Sequence, residues 1–157
     1  MKIKPKKLAV CLLIPLAVGG LAAALTVSGM KDFAALNKPA LTPPAWVFPV
    51  VWTALYLLMG LASYLVSESR RPREDMAAAL TVYACQLALN FFWPILFFHF
   101  KLYLFAFFWL VALWLAVLAT FAIFRKIDKR AGNLILPYLF WVTFAGYLNL
   151  GVYLLNK

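Results

Sequence analysis

Five apolar runs limit what this chain can fold into: Leu8–Ser28, Ala45–Val66, Ala77–Phe98, Leu102–Phe124 and Leu134–Leu155. Each is close to the ~20 residues that cross a hydrocarbon layer about 30 Å thick. Lipid offers no partner to a backbone N–H or C=O, so a spanning segment must satisfy these groups as a helix or within a closed barrel. Barrel strands alternate in segments of about ten residues, and these runs do not alternate. The expectation is an all-α integral membrane protein, one domain over residues 1–157 built as a bundle of five transmembrane helices. Composition agrees, since 66% of residues are hydrophobic against about half in a soluble domain.

The formal net charge is +10, which raises nucleic acid as a partner. Its distribution argues for topology instead. With five spans, Lys2, Lys4, Lys6, Lys7, Arg70, Arg71, Arg73, Arg125, Lys126, Lys129 and Arg130 fall on one side. Lys31, Lys38, Lys101 and Lys157 fall on the other. The positive-inside rule places the N-terminus inside and the C-terminus outside. No nucleic-acid role is expected. A basic start before an apolar run also fits a signal peptide. This run is longer than the usual signal core and holds Gly19, Gly20, Ala22, Ala23 and Ala24, as a packed helix would, so a retained helix is expected. No transit-peptide composition appears, and a prokaryotic cell membrane is the expected location.

One long connection, Gly29–Pro44, lies outside. A tight turn near His99–Lys101 makes the third and fourth helices an antiparallel hairpin. Charged loops at Ser67–Met76 and Arg125–Gly132 close the inner side. Small residues recur at helix-contact spacing: Gly19 with Ala23, Gly20 with Ala24, Ala84 with Ala88, and Ala112 with Ala116 and Thr120. Such rows let membrane helices approach closely, within a bundle or across a dimer.

Much chemistry is excluded by what the spans lack. Asp32, Glu68, Glu74, Asp75 and Asp128 are the only acids, and all lie in loops or at their edges. No Asp, Glu, Lys or Arg sits mid-span. Ion-coupled transporters usually need one there, so a small-molecule transporter driven by a proton gradient is a minor reading. The single histidine, His99, falls at a helix end and builds neither a bis-His haem site nor a zinc site. Cys11 and Cys85 fall within spans, as packing thiols do. No catalytic triad and no metal site are expected.

Aromatic and weakly polar residues remain. Trp52, Tyr56, Gly60 and Tyr64 share a face of the second helix at i, i+4 steps. Gln86, Asn90 and Pro94 share one on the third, flanked by Trp93. Pro137, Trp141, Ala145 and Asn149 do so on the fifth. Belts of Trp and Tyr are common at membrane interfaces. Gln86 and Asn90 are different, because a buried amide costs free energy unless paired, so each must face a partner helix or a cavity. Pro94 lacks an N–H and should loosen its helix. The stripes together suit a large, flat, mostly apolar ligand. Between the first two helices, Asn37–Tyr56 carries Pro39, Pro43, Pro44 and Pro49 with Trp46 and Trp52. Its prolines bar ordinary helix from Pro39 to Pro44, and the stiff segment reads as a lid.

Three blocks resemble the translocator protein / tryptophan-rich sensory protein (TspO/MBR) family: LNKPALTPPAWVFPVVWTALY at Leu36–Tyr56, QLALNFFWPILFF at Gln86–Phe98, and PYLFWVTFAGYLNLGVYLLN at Pro137–Asn156. The resemblance covers nearly the whole chain. It implies a five-helix bundle, usually a homodimer, with a pocket under the loop between helices one and two that binds porphyrins such as protoporphyrin IX and haem. No cofactor is required; porphyrin or haem is the expected ligand. By motif position it implies Trp52, Asn90, Trp93, Trp141, Ala145 and Leu148 in the pocket, with Pro43 and Pro44 in the lid. Tyr56 and Gln86 join them from the stripes above. Light-driven porphyrin breakdown proposed for bacterial members would give Trp52 and Trp141 a redox role; otherwise no catalytic residue is expected.

The chain departs from this pattern in the lid. Asp32-Phe33 stands where many members carry Trp-Tyr before the KP, and Leu41 stands where many carry Trp. Phe33 can stack on a ligand but cannot donate a hydrogen bond. Animal members bind cholesterol, and Leu148, Tyr153 and Lys157 formally meet the sterol pattern, which is weak on its own.

Overall fold

The computed structural model describes residues 3–157; Met1 and Lys2, the latter one of the basic residues assigned to the inner side, lie outside the described residues. Five helices follow in order: α1 (Pro5–Ala34), α2 (Val47–Ser67), α3 (Arg73–Pro94, continued by a π-helical turn at Ile95–His99), α4 (Tyr103–Ile127) and α5 (Lys129–Leu155). Each is long and apolar enough to cross a membrane. The all-α bundle read from the sequence is the observed fold.

Several boundaries move. The first helix runs to Ala34, not Ser28, so the long loop is Ala35–Trp46 and not Gly29–Pro44. At 1.5 Å per residue, the 30 residues of α1 reach about 45 Å, beyond the hydrocarbon layer, where Lys31 and Asp32 need no apolar surroundings. The second helix starts at Val47 rather than Ala45, after the N–H of Val47 donates to the Pro44 carbonyl at 3.0 Å. The third starts at Arg73 rather than Ala77, with Glu74 and Asp75 in its first turn, where carboxylates suit the positive end of the helix dipole. The charged loop Arg125–Gly132 shrinks to Asp128 alone. Its extended backbone breaks the α4 ladder, and its carboxylate accepts the Arg130 N–H at 2.8 Å to cap α5.

The helices close into a ring in the order α1, α2, α5, α4, α3, with α3 and its π-helical turn returning to α1. Glycines set the α1–α2 approach. A Cβ on Gly60 would lie 2.7 Å from the Cys11 carbonyl oxygen, and one on Gly19 would lie 2.1 Å from the Tyr56 ring. Gly20, by contrast, has open space around it. Ala24, Ala84 and Ala88 are exposed as well, so those small rows face outward. Only 11% of the spanning part of α1 is buried, against 44% of α2; α2 is the inner helix and α1 its cover.

Ion pairs tie the two ends. At one, Lys4 and Lys7 converge on Glu68 at 2.9 and 2.6 Å, and Arg71 donates to the Lys126 carbonyl at 3.1 Å. At the other, Lys101 meets Asp32 at 2.8 Å. The basic residues that the sequence assigns to one side and the structure describes gather at the first of these ends.

Candidate ligand site

Pro94 shapes one wall of the site. It has no N–H to return to Asn90, so the α-helical ladder fails there. The chain widens into a π-helical turn, with Phe100 N–H reaching the Ile95 carbonyl at 3.0 Å. Such turns are frequent at functional sites. Here the turn brings Phe97 under Trp93, the rings stacked 5.5 Å apart.

Trp52 stands at the centre. It stacks on Tyr56 at 5.7 Å and meets Trp93 at 6.5 Å, Tyr138 at 6.1 Å and Trp141 at 6.5 Å, the last edge to face. Three helices supply these rings, at separations typical of attractive aromatic pairs. A buried chain of neutral hydrogen bonds locks them. The Tyr56 hydroxyl donates to Asn90 Oδ1 at 2.8 Å, and Asn90 Nδ2 donates to the Tyr138 hydroxyl. Trp93 Nε1 donates to Asn149 Oδ1 at 3.1 Å, whose amide donates to the Tyr103 carbonyl at 2.7 Å. Trp141 Nε1 is buried with no partner.

The structure therefore brings together Trp52, Tyr56, Asn90, Trp93 and Trp141. Ala145 and Leu148 are buried on α5. Gln86 is also fully buried, but it lies a turn away from Asn90 and donates to Met59 Sδ at 3.5 Å, outside the aromatic cluster. Phe33 reaches the cluster indirectly, through Phe97 and Phe98, 5.8 and 5.5 Å away. Pro43 and Pro44 sit in the loop, half-buried and exposed respectively. Gly60 and Tyr64, read as part of the same stripe, turn to α1 instead, where the Tyr64 hydroxyl accepts the Lys4 backbone N–H at 3.0 Å.

Tyr138 joins the site although none of the sequence stripes includes it. Of the stripe Pro137, Trp141, Ala145 and Asn149, the last three face the site, while Pro137 is exposed and its neighbour Tyr138 is fully buried. The signal was present: Tyr138 precedes Trp141 by three positions and Ala145 by seven, which is also one helical face.

The loop is strapped across α5. Asn37 N–H donates to Asn156 Oδ1 at 3.0 Å, and Asn156 Nδ2 returns to the Asn37 carbonyl at 2.8 Å. Tyr147 donates to the Ala40 carbonyl at 2.8 Å. Pro39 lies on Gly151, where a Cβ would come within 2.6 Å of the proline ring. Leu41, at the departure from the family pattern, is exposed and holds φ at 68°.

A match to the family model described as TspO/MBR family runs over residues 11–155. The chain belongs to the TspO/MBR family. It is 35% identical over 150 residues to a tryptophan-rich protein TspO of Chlorobaculum tepidum, covering 95% of each chain. It is 44% identical over 121 residues to a tryptophan-rich sensory protein of Cereibacter sphaeroides, covering 77% of this chain and 74% of that one. The human translocator protein is 38% identical over 122 residues, with 77% and 72% covered. As a TspO/MBR protein it is an integral membrane protein, and its family blocks coincide with the loop, the Asn90–Trp93 segment and the α5 face just described.

Proposed function

We propose that this TspO/MBR protein is a membrane receptor or carrier for a flat hydrophobic tetrapyrrole, a porphyrin or haem, held among the rings around Trp52 beneath the Ala35–Trp46 strap. The observation that carries this reading is the convergence of Trp52, Trp93, Tyr138 and Trp141 about one point with only neutral hydrogen-bonding groups between them. A plane between two rings needs about 7 Å, twice the ~3.5 Å contact distance. Trp52 and Trp93 stand 6.5 Å apart between ring centres and are tilted by 33°, so a bound macrocycle would have to part these rings. The unpartnered Trp141 N–H would donate to a ligand carboxylate or carbonyl.

Titration with protoporphyrin IX tests this. Quenching of tryptophan fluorescence should saturate, and Trp141→Phe and Ala145→Phe should each weaken it. Saturable binding indifferent to both substitutions would place the ligand elsewhere.

A second reading, light- and oxygen-dependent porphyrin breakdown, draws on the edge-to-face contact of Trp52 with Trp141. Product that accumulates under illumination above a protein-free control, and vanishes in Trp52→Phe, would support it. Sterol binding draws less support, because Leu148 is buried inside the bundle while Lys157 is exposed. We further propose that the basic end lies inside a prokaryotic cell, and that the protein forms a homodimer.

A further inference from the structure

Polar side chains also meet away from the aromatic cluster, toward the basic end of the bundle. A cavity of about 260 Å³ opens between α1, α2 and α3, lined by Cys11, Ser63, Ser67, Leu80, Tyr83 and Leu87 among others. Its lining shares no residue with the aromatic cluster, and Ser63 stands eleven residues along α2 from Trp52, about 16 Å at 1.5 Å per residue.

Its polar groups are incompletely used. Tyr83 is 6% exposed, and its hydroxyl makes no hydrogen bond of good geometry, with the Ser63 side chain as its polar neighbour. Buried polar groups in folded proteins are nearly always paired, and an exception calls for a missing partner. Ser63 and Ser67 spend their protons on the carbonyls of Gly60 and Tyr64, each at 2.8 Å. Each serine oxygen keeps lone pairs that can accept. No charged side chain lines the cavity. The complement is a neutral molecule with one hydroxyl, which accepts from Tyr83 and donates to a serine, on an apolar body that rests against Leu80 and Leu87. The volume equals roughly nine waters at ~30 Å³ each, enough for a medium-chain alcohol or a bicyclic phenol and far too small for a tetrapyrrole. Exposed Ile14 and Ala84 at its rim give access from the lipid.

We propose that this cavity binds a small lipid-soluble alcohol or phenol, anchored by the Tyr83 hydroxyl. The test is photolabelling of the full chain in liposomes with a diazirine-bearing octanol, with adducts located by mass spectrometry. Adducts should fall within residues 63–67 and 80–87, saturate with dose, and drop several-fold under competition from 2-naphthol. Tyr83→Phe should reduce labelling at least fivefold. Ala84→Leu, which narrows the rim from an exposed position, should do the same. Protoporphyrin quenching in both variants should match the parent, which separates this site from the one around Trp52 and reports intact folding. Labelling that spreads along lipid-facing α1 without saturation would overturn the proposal and mark the space as filled by water or acyl chain. Unchanged labelling in Tyr83→Phe would overturn it as well.

Discussion

Tyr56 and Asn90, on neighbouring faces of α2 and α3, share a buried hydrogen bond of 2.8 Å in which the phenol donates to the amide oxygen. The same amide donates onward to Tyr138, so one asparagine serves two phenols from two other helices. Removing Tyr56's hydroxyl leaves one acceptor unpaired; removing the Asn90 amide orphans two hydroxyls. An unpaired buried group costs about 1–3 kcal/mol. Asn90→Ala should therefore destabilise the protein more than Tyr56→Phe, by a further ~1–2 kcal/mol. Thermal unfolding of both variants in detergent checks the order; equal losses would mean that Tyr138 finds another partner.

Two glycines one helix apart should answer alanine oppositely. At Gly60 the added methyl meets the backbone of Cys11 and Leu12, and α1 must shift away. Overpacking of this kind costs about 1–3 kcal/mol. At Gly20 nothing lies within 4 Å, so alanine gains its helix-propensity advantage of up to ~1 kcal/mol. Melting temperatures of Gly60→Ala and Gly20→Ala should move down and up respectively.

The Asn37–Asn156 clasp is exposed, and a hydrogen bond in that setting contributes little to global stability, about 0.5–1.5 kcal/mol at most. Its effect should be local. In Asn156→Ala, hydrogen exchange across 36–42 should accelerate at least tenfold while the α2 and α5 cores exchange as before. Protection that persists would assign the strap to Tyr147 and to the Pro39–Gly151 contact.

The Glu68 carboxyl is held below its ordinary value of 4.5, first by the hydrogen bond from Lys7 and then by that from Lys4. A lowered folded pKa means that the stabilisation is complete above 4.5 and fades as pH falls through the lowered value. The parent should thus be more stable than Glu68→Gln at neutral pH, by a small margin because the lysines are solvated. That margin should close as the pH drops below 4.5. A constant difference across the titration would show that Glu68 acts through packing rather than charge.

The spans and their grouping were legible because hydrophobic length and loop charge are one-dimensional signals. Boundaries were less so. Lys31 and Asp32 read as loop residues, yet a helix leaving the hydrocarbon has no reason to stop at the first charge. Asp128 shows the converse: eight residues, all but Ile127 polar or small, looked like a loop, while a single capping residue suffices to turn the chain. At the site, Trp52, Asn90, Trp93 and Trp141 were visible as stripes. Gln86 shared the face of Asn90 but not its surroundings, because helix periodicity gives an azimuth and no depth. Tyr138 was hidden by the proline beside it. The cavity at Tyr83 had no sequence signal at all, since it depends on how far α1 stands from α3.

Ring order has a consequence for biosynthesis. Helix α5, made after the other four, inserts between α2 and α4, carries Tyr138 and Trp141, and is followed by Asn156, which fastens the strap. Until it arrives, Trp52 has lost two of its aromatic neighbours and Asn90 has one phenol in place of two. With four helices in the membrane the ring is still open between α2 and α4, and the aromatic cluster around Trp52 closes only when α5 takes its place.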